Sequence, residues 1–117
     1  MVAFKGLDFE EFLRKAPSGS RDLIQAMRRR VRERYPDVVE EVRFHRIVFG
    51  RKSIWRKFLD IRPLPDGVEL DLRVGQRLGD ETRFGVIREG GWVSLAVRSH
   101  DELDELLGWF DKAHSLV

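Results

Sequence analysis

Seven consecutive residues, Val68-Glu69-Leu70-Asp71-Leu72-Arg73-Val74, alternate strictly between apolar and charged side chains. A period of two places Val68, Leu70, Leu72 and Val74 on one face of a strand and Glu69, Asp71 and Arg73 on the other, the pattern of a half-buried antiparallel strand. Pro63-Leu64-Pro65-Asp66-Gly67 before it is a turn signal. The preceding run, Ile54 to Arg62, alternates Leu59 and Ile61 against Asp60 and Arg62 and reads as the neighbouring strand. Val38 to Phe49, rich in Val, Phe and Ile, reads as an earlier strand closed by a turn at Gly50-Arg51-Lys52-Ser53. Gly75 to Thr82 is polar and irregular, and Arg83 to Arg88 is a weaker strand candidate. Glu89-Gly90-Gly91 then turns into Trp92–Arg98, where Val93, Leu95 and Val97 share a face.

Outside this stretch the period is helical. Asp8 is placed to cap a short helix in which Phe9, Phe12 and Leu13 recur at i, i+3 and i+4, stopped by Ala16-Pro17-Ser18-Gly19. Ser20 or Ser18 is the expected cap of a longer helix ending near Tyr35-Pro36. Its stripe of Leu23, Ile24, Met27, Val31 and Tyr35 falls within about a third of the helical circle, so one face packs onto other structure. Ser99-His100-Asp101-Glu102 has the form of a capping box. It opens a last helix with Leu103, Leu106, Leu107 and Phe110 on its buried face and Trp109 at the edge. The order predicts an α+β fold: an antiparallel sheet of four to five strands with two N-terminal helices and one C-terminal helix packed on it. No internal repeat or linker divides residues 1–117, and that length suffices for one domain with its own core.

The chain has no cysteine, which removes disulfides, thiolate metal sites and cysteine nucleophiles together. Met1 to Glu11 carries three acids and one base with no apolar run, unlike a signal peptide. No apolar stretch is long enough to span a bilayer, so the expectation is a cytoplasmic protein without a membrane partner. No His lies three or four residues from another, and no phosphate loop, dinucleotide fingerprint or nucleophile elbow is present. Neither a metal nor a cofactor is expected. His45 and His114 are the histidines to consider for acid–base work, with a hydrogen-bonded structural role as the plainer reading; His100 sits in a cap region. Trp55, Trp92 and Trp109 read as core, or, for Trp55 and Trp92 at strand starts, as lining the mouth of a pocket.

Charge is segregated. Arg21 to Lys57 holds 12 Lys/Arg against 5 Asp/Glu, whereas Asp66 to Val117 holds 6 against 11. From Arg43 to Phe58 there is no acid at all. Arg28 and Arg32 on the second helix, then Arg43, Arg46, Arg51, Lys52, Arg56 and Lys57, with Trp55 and His45 between them, suit phosphate contacts and base stacking. The leading expectation is therefore a non-catalytic binding module for nucleic acid or another polyanion. The plainer alternative is a solvated hairpin whose basic residues pair with the acid-rich C-terminal half, including Asp101, Glu102, Asp104 and Glu105. In that case the domain is a protein–protein interaction or accessory module without nucleic-acid affinity. A small-molecule pocket between the sheet and the last helix is a third reading. An exposed edge strand would also support a homodimer.

Lys57-Phe58-Leu59-Asp60-Ile61, Val68 to Val74, Gly91-Trp92-Val93-Ser94-Leu95 and the Ser99 to His114 helix resemble an uncharacterised bacterial family, the domain of unknown function numbered 5655. The same strand–strand–Trp-Val–helix plan more distantly resembles the MmcQ/YjbR proteins, which implies a compact α+β fold and, by analogy, DNA binding. The stretch Gly75–Thr82 departs from the MmcQ-like pattern. Neither resemblance carries a catalytic residue onto this chain.

Overall fold

The computed structural model describes residues 8–75 and 90–117. Helices α1 (Phe9–Lys15) and α2 (Ser18–Arg34) precede five strands, β1 (Val38–Val42), β2 (Ile47–Arg51), β3 (Lys57–Leu64), β4 (Gly67–Arg73) and β5 (Trp92–Val97), and α3 (His100–Leu116) follows. The strands form one antiparallel sheet in the order β1-β2-β3-β4-β5, each paired with its sequence neighbour. The weaker strand expected at Arg83–Arg88 and the irregular stretch from Gln76 onward lie outside the described residues.

Registry explains why one face is core. Phe49, Leu59, Leu72 and Val93 stand opposite one another across four strands, as do Ile47, Ile61, Leu70 and Leu95 in the next row. Leu23, Ile24, Met27 and Val31 of α2 and Leu103, Leu106, Phe110 and Ala113 of α3 close over these rows, all buried in one cluster. Both helices run from the β3–β4 turn toward the opposite end of the sheet, with His100 beside Asp22 at their starts and Asp111 beside Arg34 at their ends.

Several local expectations are corrected. Val38–Phe49 is two strands, because Arg43 N–H donates to the Arg46 carbonyl at 2.8 Å and folds the chain back on itself. Gly50 belongs to β2, not to a turn, and the connection that follows is the loop Lys52–Arg56. A Cβ on Gly50 would lie 2.2 Å from the Ser53 carbonyl oxygen, so only glycine lets the loop fold this closely over the strand. Pro63 and Leu64 are strand residues, and the β3–β4 turn is reduced to Pro65-Asp66. Neither Ser18 nor Ser20 caps α2; the cap position is Pro17, and the buried Ser20 hydroxyl donates back to the Pro17 carbonyl at 2.8 Å. Asp8 holds the α1 cap position without a side-chain bond.

The Ser99 cap stands as expected: its Oγ accepts from Glu102 N–H at 3.2 Å, and Glu102 returns the bond to Arg98 N–H rather than to Ser99. The registry also shifts by one between Phe49↔Leu59 and Gly50↔Lys57. Phe58 is the extra residue of this β-bulge, which turns its ring onto the helix side beside Leu59. There it meets Tyr35 edge-on at 5.5 Å and His114 at 5.3 Å. No described helix is long and apolar enough to cross a membrane.

Candidate functional site

The ten basic and aromatic residues singled out from the sequence do not converge on one patch. They fall in three places, fixed by the hairpins that carry them. Arg51, Lys52, Trp55, Arg56 and Lys57 surround the β2–β3 loop at the end of the sheet where α2 and α3 finish. Arg43, His45 and Arg46 sit in the β1–β2 turn at the other end, five strand residues away, on the order of 17 Å. Arg28 and Arg32 project from α2.

Most of these cations already have partners. Arg28 grips Glu40 of β1 through two bonds of 2.6 and 3.0 Å and lies over the Phe9 ring. Arg43 pairs with Glu41 at 3.0 Å, Arg46 with Asp60 at 3.5 Å, and Arg51 with Asp37 at 3.4 Å. Arg30 and Arg34 reach α3 at Asp104 and Asp111. Much of the positive charge seen in the sequence is thus neutralised in space, but the hairpin arginines pair with Glu41, Asp60 and Asp37 and not with the acid-rich C-terminal half that the plainer alternative named. Arg30 and Arg34 of α2 are the ones that pair with acids of the last helix. Arg32, Lys52 and Lys57 carry no acidic partner among the described residues.

The β2–β3 loop is held firmly at its base. Lys52, in the left-handed region at φ 62°, donates its N–H to the Asp37 carbonyl, and Arg51 N–H donates to the Arg56 carbonyl. His114 ties the end of α3 to the same place through a 2.8 Å bond between Nε2 and Asp37 Oδ1. Tyr35 stacks on the imidazole at 4.4 Å. That bond holds the Asp37 carboxyl below the usual carboxylate range, with the Arg51 charge assisting. Arg34 and then Tyr35 lower Asp111 in the same manner, while burial raises the Tyr35 phenol. The His114–Asp37 bond joins α3 to the residue just before β1. Arg56 reaches the Val117 backbone oxygen. Above this base stands Trp55, 89% exposed, in the loop rather than in a strand as its sequence position suggested. Leu116, half exposed, belongs to the same end.

One cluster escaped the sequence reading. On the sheet face opposite the helices, Val48, Asp60, Asp71 and Ser94 stand in one row across β2 to β5. Both aspartates are buried, at 8% and 6% exposure. Ser94 Oγ donates to Asp71 Oδ1 at 2.5 Å, Arg62 approaches the same oxygen at 3.5 Å, and Asp60 Oδ1 has no hydrogen-bond partner among the described residues. Burial, reinforced by the Asp71 charge, pushes Asp60 up to about 6 against the opposing pull of Arg46 and Arg62. In the sequence both acids were simply the polar members of an alternating pattern. Only the registry, which sets them face to face, distinguishes them. No group of three potential metal ligands occurs among the described residues.

No curated protein and no solved structure matches the chain. The family described as a domain of unknown function (DUF5655) matches residues 9–117, which takes in every described element, and the more distant likeness to MmcQ/YjbR proteins finds no support. The chain belongs to the DUF5655 family, on the helix–sheet–helix frame described above.

Proposed function

We propose that this domain is a non-catalytic binding module that grips a single-stranded nucleic acid or similar polyanion at the β2–β3 loop. The observation that carries the reading is Trp55: an indole 89% exposed on a loop braced from below by Asp37, Arg51 and His114. An aromatic face presented to water on a fixed support is a stacking platform. Lys52 and Lys57, without acidic partners among the described residues, and Arg56, bonded to a backbone oxygen, supply the phosphate contacts beside it. Arg28, Arg43, Arg46 and Arg51, already paired, serve the fold rather than the ligand.

The test is anisotropy of a labelled oligo-dT at 50 and 200 mM salt. Three neutralised phosphates give a logarithmic salt slope near −2 for a single strand, so affinity should fall about 20-fold between the two salts. Trp55→Ala should weaken binding roughly 5- to 150-fold through lost stacking. No binding at 50 mM salt, or binding indifferent to Trp55→Ala, would remove the reading.

A second reading rests on Leu116, half exposed at the same end as Trp55. Together they would form an apolar anchor for a protein partner, with the charges as rim. Binding that tolerates high salt and needs both Trp55 and Leu116 would favour it.

A further inference from the structure

At the other end of the sheet, where α1 gives way to α2 and the β1–β2 turn folds against them, lies a cavity of about 500 Å³. That volume suits a small molecule rather than a chain. Phe12, Phe44 and Pro63 provide apolar walls, and Lys15, His45 and Arg62 provide the polar groups; no acidic residue is among those lining it. Phe44 is 67% exposed, a large ring held at the rim with His45 edge-on at 4.6 Å and the Lys15 ammonium 5.8 Å from its centroid. Lys15 has no acidic partner among the described residues. Arg62 pairs with Glu69 and Asp71 through its terminal nitrogen and lines the cavity as part of its wall.

We propose that this cavity is a binding site for a small organic anion with a planar apolar body, its ring against Phe12 and Phe44 and its phosphate or carboxylate between Lys15 and His45. Charge complementarity selects the anion, and the aromatic rim selects a ring-bearing molecule over a bare ion. The site is independent of the Trp55 loop. The two are separated by the length of β2, five residues or about 17 Å.

The experiment is amide NMR titration of the isotopically labelled full chain with phenyl phosphate, inorganic phosphate and benzylamine. Phenyl phosphate should give saturable shifts at Lys15, Ala16, Phe44, His45 and Arg62. Inorganic phosphate should bind at least tenfold more weakly, and benzylamine should leave these amides unmoved. Lys15→Glu and Phe44→Ala, both at exposed positions, should each weaken phenyl phosphate by about tenfold while the remaining spectrum reports an intact fold. Trp55→Ala should leave it unchanged, which separates this site from the polyanion contact. Shifts centred on the β2–β3 loop, equal binding of inorganic phosphate or benzylamine, or no saturation would each overturn the proposal.

Discussion

Replacing Asp60 with Asn should stabilise the protein above pH 7 and have little effect near pH 4. Asp60 stands directly across from Asp71, is almost fully buried, and has its ordinary value of 3.8 raised to about 6. Between those two values the native state keeps a proton that the unfolded chain has released. Stability from this group is therefore complete below pH 4 and is lost as pH rises through 6. A shift of about two units corresponds to roughly 3 kcal/mol at most. Allowing half for solvent relaxation around the pair leaves about 1.5 kcal/mol of destabilisation above pH 7. Asn keeps the volume and an acceptor for Arg46 but removes the charge. Thermal and urea melts followed by circular dichroism should show Asp60→Asn about 1.5 kcal/mol more stable at pH 8, or about 6 °C higher in Tm, with the gap closing at pH 4. Titrations of Asp37 and Asp111 run in the opposite direction and cancel between variant and parent. The same offset at both pH values, or a destabilised variant at pH 8, would refute the reasoning.

Ser99→Ala should cost about 1 kcal/mol in a urea melt, because it removes the acceptor for Glu102 N–H at the start of α3; Ser99→Asp should restore most of it. Gly50→Ala should cost about 1–3 kcal/mol, since its methyl meets the Ser53 carbonyl and the loop must move. The same substitution should shift the Trp55 and Lys52 amide resonances more than those of the β3–β4 turn, and an unchanged loop spectrum would contradict it.

What could be read in the sequence was whatever repeats at short range. The Val68–Val74 alternation, the α2 stripe and the Ser99 cap each declare themselves within a dozen residues. The β1–β2 hairpin does not, because Arg43-Phe44-His45-Arg46 contains neither Gly nor Pro and both flanks are β-branched, so the sequence alone predicts one strand. Trp55 was misplaced for a related reason: Ile54-Trp55 has strand composition, yet Gly50 allows the loop to close over β2 and leaves the indole outside. Phe58 lies out of step with Leu59 and Ile61, and only a bulge lets it share their face. The pairing of the charges was the least legible feature. Segregation along the chain says nothing of pairing in space, and the Arg28–Glu40, Arg34–Asp111 and Arg51–Asp37 pairs are made by packing. Asp37 and His114, 77 residues apart, illustrate the limit: no local pattern marks either.

A sheet in which every strand hydrogen-bonds only to its sequence neighbours can be laid down in the order in which a ribosome delivers it. The β1–β2, β2–β3 and β3–β4 pairs each close across a short connection, which keeps the search fast. The apolar face, however, stays half uncovered until the last element arrives. Leu103, Leu106, Phe110 and Ala113 of α3 are the late half of the lid, and Phe58 waits beneath them. A nascent chain paused before His100 therefore offers a formed sheet with one greasy flank, the stage at which a chaperone or a neighbouring copy has most to hold on to.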